Sequence, residues 1–178
     1  MRVNPAIKPP LFEFSLTRNC VLSMDSIKEY CFVAERTLGK LAKWLRILGF
    51  DTFYAPDFSE KQLISVDKKR ILLTRTQRIR DGNLSEKCIF IAPNDPFEQL
   101  REVIQALGIA QKDIRPFSRC IRCNASIRRI QKDAVQKMVP DYVWETHDTF
   151  RICVACQRIY WAGSHTRHSF DIMERLFN

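Results

Sequence analysis

Residues 31–55, CFVAERTLGKLAKWLRILGFDTFYA, decide the fold. The run opens on CFVA and closes on DTFYA, two short β-type segments. Between them Leu38, Leu41, Ala42, Leu45 and Leu48 recur on one face of a helix, with Arg36, Lys40, Lys43 and Arg46 on the other. Gly49 follows as a helix C-cap, because glycine turns left-handed without a Cβ penalty. Strand, helix, strand at this spacing predicts a parallel crossover.

Working outward, the alternation continues. SEKQLISVDKK (59–69) predicts a helix, RILLT (70–74) a strand, CIFIA (88–92) a strand and DPFEQLREVIQAL (95–107) a helix ended by Gly108. Ser59 with Gln62, and Asp95 with Pro96 and Glu98, mark helix starts, where a short polar side chain satisfies orphan amides. The expected architecture is an α/β domain over 28–112, a parallel sheet with crossover helices. A smaller module over 113–178 begins where composition shifts at Arg115 to Cys120. Residues 1–27, with Pro5, Pro9 and Pro10, predict an extended arm.

At 178 residues and 46% hydrophobic content, one ordinary core and a small accessory module are affordable, and two full-sized domains are not. A formal charge of +9 favours polyanionic partners, with nucleic acid first and an anionic membrane surface second. No apolar stretch is long enough to cross a bilayer, and the N-terminus lacks a signal peptide's apolar core. These features predict a soluble, intracellular and cytoplasmic protein. Organelle targeting by the arm stays open, since Glu13 is the only acid before Asp25.

Seven cysteines, an odd number, argue against a disulfide-stapled domain, and four fall into two Cys-x-x-Cys pairs. Cys31 and Cys88 open apolar runs and read as buried thiols, while Cys20 lies in the arm. Cys120, Cys123, Cys153 and Cys156 are expected to hold one structural Zn2+, because two residues between paired cysteines let a tight knuckle aim both sulfurs at one ion. Four thiolates leave no open coordination position, which excludes a catalytic zinc and makes His165 and His168 unneeded as ligands. The segment IRRIQKDAVQKMV between the pairs predicts a helix, or a strand with a turn.

Around the cysteines, Arg115 to Trp161 contains nine basic residues against four acids, a basic surface suited to phosphate. Arg119, Arg122, Arg128 and Arg129 are the candidate RNA contacts there, with His165, in a Gly-Ser-His turn, as a further phosphate grip. Phe117, Trp144, Tyr160 and Trp161 suit base stacking, but core roles are the better expectation for the aromatics. In the α/β domain, acids just beyond strands are candidate Mg2+ or Mn2+ ligands. Glu35, Asp57, Glu60 and Asp81 stand there.

The runs FVAERTLGKLAKWLRILGFD (32–51), RILLTRT (70–76), FSRCIRCN (117–124) and Cys-x-x-Cys-QRIYWAGSH (153–165) together resemble the Mut-seven C-terminal RNase domain family. The likeness covers about residues 31–170 and implies a PIN-like nuclease fold with a zinc ribbon, acting on RNA with a divalent metal. On this resemblance Glu35 and Glu60 hold Mg2+ or Mn2+, Asp81 adds a charge, and Arg75, Lys40 and Lys43 position the RNA backbone. Two positions depart from the pattern: Glu35 stands where the family has Asp, and Thr76 where it has Asp in Leu-Leu-Thr-Arg-Asp. The first keeps the charge one methylene further out; the second removes it. Two functions therefore stay open, a divalent-metal ribonuclease and a non-catalytic RNA or ribonucleoprotein adaptor. Expected partners are RNA and no membrane, with a ribonucleoprotein or a homo-oligomer open, to which Trp44 and the arm offer a surface.

Overall fold

The structure is a computed structural model that describes residues 29–67, 69–81 and 87–177, with the side chains of Glu60, Ile64, Ser164 and His165 outside that description. The expected arm, residues 1–27, lies outside the described residues. Four strands, β1 (Cys31–Ala34), β2 (Asp51–Tyr54), β3 (Ile71–Thr74) and β4 (Cys88–Phe90), form a parallel sheet in the order β2-β1-β3-β4. A second, antiparallel sheet joins β5 (Ile127–Ile130), β6 (Phe150–Cys153) and β7 (Ile159–Trp161) in sequence order.

β1 and β3 read as unbroken apolar runs because both their faces are covered. Phe32, Ala34 and Leu73 point into one core with α1 (Gly39–Ile47) and α4 (Pro96–Leu107). Val33 and Leu72 point the other way, against Leu63 of α2 (Glu60–Ser65) and Ile79 of α3 (Gln77–Asp81). Leu38, Leu41, Leu45 and Leu48 are fully buried, so the expected apolar face of the first helix is the face that packs. Truncating one of them, as in Leu45→Ala, costs about 3 kcal/mol through lost transfer energy and the cavity left behind.

The caps form as expected. Ser59 and Gln62 make a reciprocal capping box, the Asp95 carboxylate accepts from the amides of Phe97 and Glu98, and Gly108 ends α4 in the left-handed region. Gly49, at φ +97, takes the left-handed turn after α1, where a Cβ would strike the Arg115 carbonyl. Two helices are shorter than their sequence patterns. Residues 36–38 form a 3-10 turn before α1, and α2 stops at Ser65. There the Asp67 carboxylate accepts from the Lys69 amide and its carbonyl from the Arg70 amide, a turn that competes with further helix.

The segment between the cysteine pairs begins as β5 and continues through a 3-10 turn at Asp133–Val135 to α5 (Asp141–Thr146). Val135, Val139, Val143 and Phe150 close a small third core over the ribbon, with Trp144 packed against it. An unexpected element follows: the Gly-Ser-His run leads directly into α6 (Ser164–Phe177), so His165 belongs to a helix and not to a turn. Met173 of α6 is buried in the first core, and Leu176 and Phe177 pack on it. Trp44 is half-buried against the same core. No helix among the described residues is long and apolar enough to cross a membrane.

Candidate metal centre and nucleic-acid cleft

The two Cys-x-x-Cys segments fold into matching knuckles. In the first, the Cys120 amide donates to the Ala125 carbonyl, the Asn124 amide to the Cys120 carbonyl, and Asn124 turns left-handed at φ 67. The second repeats this with Cys153 to Arg158, Gln157 to Cys153, and Gln157 at φ 55. Each knuckle also aims the amide of its second cysteine at the sulfur of its first, at 3.5 Å.

The four ligand sulfurs lie within 4.8 Å of one another, with Cys120 to Cys156 at 3.6 Å and Cys123 to Cys153 at 3.4 Å. A tetrahedral zinc with Zn–S near 2.3 Å has sulfur–sulfur edges of about 3.8 Å, so the set fits one such ion. Burial raises the Cys120 thiol, but the Tyr160 hydroxyl, 3.0 Å away, and the amides of Cys123 and Arg122 outweigh it and bring it down to about 6. Cys123 is pushed up to about 12 by burial and by its neighbouring thiols, as expected when a tight set titrates jointly. Thiolate is the ligand form, and of these two thiols Cys120 is the one held towards it. Among the described residues, these cysteines are the one group of three or more ligating side chains close enough to share an ion.

The first knuckle docks on the exposed edge of β2. The Asn124 side chain accepts from the Thr52 amide and donates to Asp51, so a side chain takes the place of a neighbouring strand. Asp51 also accepts from Arg70 at 2.7 Å and faces Arg119 at 3.4 Å. Burial raises the Asp51 carboxyl, but these donors and cations outweigh it and hold it below the ordinary carboxylate range. Arg46 departs from its expected place. Helical periodicity puts it on the solvent face, yet it is only 6% exposed, because the knuckle covers it. Its guanidinium donates to the Thr52 carbonyl through Nε and Nη2, and to the carbonyls of Ile121 and Arg122 through Nη1, at 2.9 to 3.1 Å.

Between this knuckle and the carboxyl ends of the parallel strands runs an open cleft of about 840 Å3. Lys40 and Lys43 of α1, Arg75 beyond β3, and Arg122 and Arg158 of the ribbon line it, with Arg46 in the wall. Among the described residues no carboxylate lines it. Tyr54, at the end of β2, and the amides Asn94 and Gln99 complete the walls; Asn94 Oδ1 accepts from Arg75 at 2.5 Å. The Tyr54 ring lies over Gly39, where a Cβ would fall 2.7 Å from the hydroxyl, so glycine is what lets Tyr54 sit there. The strand order places a topological switch point between β1 and β3, the position at which open α/β sheets take ligands.

Glu35 sits at that switch point, 7% exposed, one residue beyond β1. Its Oε2 accepts from the hydroxyl of Thr74, from the Arg75 amide at 2.9 Å and from the Thr76 hydroxyl at 3.2 Å. Its Oε1 takes a single long bond, 3.3 Å, from Thr37. Burial raises the carboxyl, but these four donors together outweigh it and hold the group below its ordinary value, ionised at neutral pH.

A sequence model described as the Mut7-C RNAse domain matches residues 30–173, most of the chain. The chain belongs to the Mut7-C RNAse domain family. No curated protein and no solved structure matches it.

Of the residues singled out for this Mut7-C RNAse domain from sequence, the fold brings Lys40, Lys43, Arg75 and Arg122 into one cleft. Arg119 is turned away to Asp51 and to the Asn124 carbonyl. Arg128 and Arg129 are exposed on β5, at an edge of the ribbon sheet. Asp81 is exposed at the end of α3 and pairs with Arg80 at 2.7 Å, while Glu60 begins α2 with its side chain outside the described residues. Sequence reading missed Tyr54, Asn94 and Gln99, although Tyr54 and Asn94 stand at or beyond strand ends, where the same rule that singled out Glu35 applies. Arg158 belongs to the basic stretch from Arg115 to Trp161 but was not singled out there as a contact; its carbonyl closes the second knuckle.

Proposed function

We propose that this Mut7-C RNAse domain protein binds the RNA backbone along the basic cleft, with a PIN-like α/β domain and a ribbon held by one structural zinc. One observation carries this reading: five cations, Lys40, Lys43, Arg75, Arg122 and Arg158, converge at the carboxyl edge of the sheet, with no carboxylate among the described residues that line the cleft. Such a lining attracts phosphate by counterion release and suits a single strand threaded past the walls. The second reading, divalent-metal hydrolysis of RNA, is favoured by Glu35, ionised at the switch point with Oε1 largely free. Against it, Thr76 gives Glu35 a hydroxyl to hydrogen-bond in place of a second charge to share a metal with.

The full chain, incubated with labelled single-stranded and structured RNA in Mg2+, Mn2+ or EDTA, separates the two. The binding reading predicts EDTA-insensitive binding that weakens in Lys40→Ala/Lys43→Ala, with the salt slope reduced by about 1.4 for two lost phosphate contacts. Unchanged affinity in that variant overturns it. Metal-dependent cleavage that disappears in Glu35→Gln establishes the hydrolytic reading.

A further inference from the structure

The ribbon's two knuckles are related by their hydrogen-bond pattern, and each ends beside the same cleft. Arg122 stands within the first Cys-x-x-Cys loop, and Arg158 two residues beyond the second. Both are exposed, both line the cleft, and they face the α/β domain's Lys40, Lys43 and Arg75 across it. The cation set is therefore composite: neither module alone presents it. Arg46 explains how the halves stay in register. Too buried to reach a phosphate freely, it spends its Nη1 donors on the carbonyls of Ile121 and Arg122 and its remaining donors on Thr52 of β2. One guanidinium thus ties the peptide that carries Arg122 to the sheet edge. Its planar fork has the geometry to serve both partners at once, which an ammonium lacks.

We propose that the zinc knuckles hand Arg122 and Arg158 to the RNA cleft, and that buried Arg46 is the positioning residue that fixes Arg122 there. The ribbon is then half of the binding site and not only a fold staple. This rests on the RNA-cleft reading above, and the experiment distinguishes the two failures.

Binding of a short fluorescein-labelled single-stranded RNA to the full chain is followed by anisotropy across a salt series, with zinc measured per chain in every variant. Arg122→Ala and Arg158→Ala each weaken binding several-fold and lower the salt slope by about 0.7, the loss of one phosphate contact on a single strand. Arg46→Met keeps its zinc, weakens binding as much as Arg122→Ala and lowers the slope equally. The double variant Arg46→Met/Arg122→Ala is no worse than either single one, because both remove the same contact. Additive losses overturn the positioning role. If Arg122→Ala and Arg158→Ala bind like wild type while Lys40→Ala binds weakly, the ribbon's share is refuted and the cleft stands. If Lys40→Ala also binds like wild type, the cleft reading itself fails. Should Arg46→Met lose zinc or fail to fold, Arg46→Lys decides: weaker binding with zinc retained supports positioning, and unchanged binding overturns it.

Discussion

The thiol centre and the switch-point carboxylate are both places where a metal is expected, and the fold treats them in opposite ways. At the first, two knuckles bring four ligands of one kind together with sulfur–sulfur spacings that fit one ion. At the second, one carboxylate takes three donors on Oε2, two threonine hydroxyls and an amide, and a single long bond from a third threonine on Oε1. A ligand set assembled for a metal leaves its acceptors turned towards a common point; Glu35 has one oxygen committed to protein donors and the other nearly open. The contrast separates a four-ligand set that fits one zinc from a single carboxylate held mostly by protein donors.

The largest effect expected from this contrast is at the cysteines. Cys123→Ser removes one of four ligands, and since the free energy of structural zinc in small domains is about 10 kcal/mol or more, the ribbon should lose its fold. Zinc near one per chain in wild type, and a lost ribbon transition with little zinc in the variant, checks this by metal analysis and circular dichroism. A wild-type chain that stays folded without zinc breaks the comparison from its stronger side.

A smaller effect is expected at Glu35. Glu35→Gln turns an acceptor-only group into one carrying its own donors against three hydroxyls and an amide, at a cost of about 2 kcal/mol in chemical denaturation. The pH dependence has a definite sign. The carboxyl is held below its unfolded value, so its contribution is present above the ordinary carboxylate range and is lost as pH falls through the lower folded value. Asp51 acts in the same direction. Stability should therefore fall below about pH 4, and less steeply in Glu35→Gln than in wild type. The smallest effect is that of Thr76→Val, which deletes one of the donors to Oε2 and should cost about 1 kcal/mol. A stabilised Thr76→Val variant would mean that the hydroxyl is not held for Glu35.

How much of this was legible in sequence follows from what each residue depends on. The β1 and β3 strands, the leucine face of α1 and the four cysteines are local patterns, and local patterns survive into the fold. Arg46 is the instructive miss: its place on the polar face of α1 is right by periodicity, yet that face meets a knuckle formed some 75 residues later. Helical spacing reports which residues share a face and not what covers it. The last helix, α6, was not read from sequence, because the Gly-Ser-His run that opens it reads first as a turn. The cleft was half legible. Lys40, Lys43 and Arg75 follow from the strand-end rule and the helix, whereas Arg158, one of nine basic residues in its stretch, is set apart only by where the folded ribbon puts it. The acids follow another rule: sequence counts carboxylates near strand ends, but where each one sits depends on backbone paths such as α3, which leaves Asp81 exposed beside Arg80.

Amide hydrogen exchange of the full chain, with and without a short single-stranded RNA in EDTA, tests the central claim most directly. Binding in the cleft predicts new protection at residues 37–43, 75–76, 94–99, 121–122 and 158, drawn from both modules in one event. Protection confined to the exposed arginines of β5, or none at saturating RNA, would contradict it.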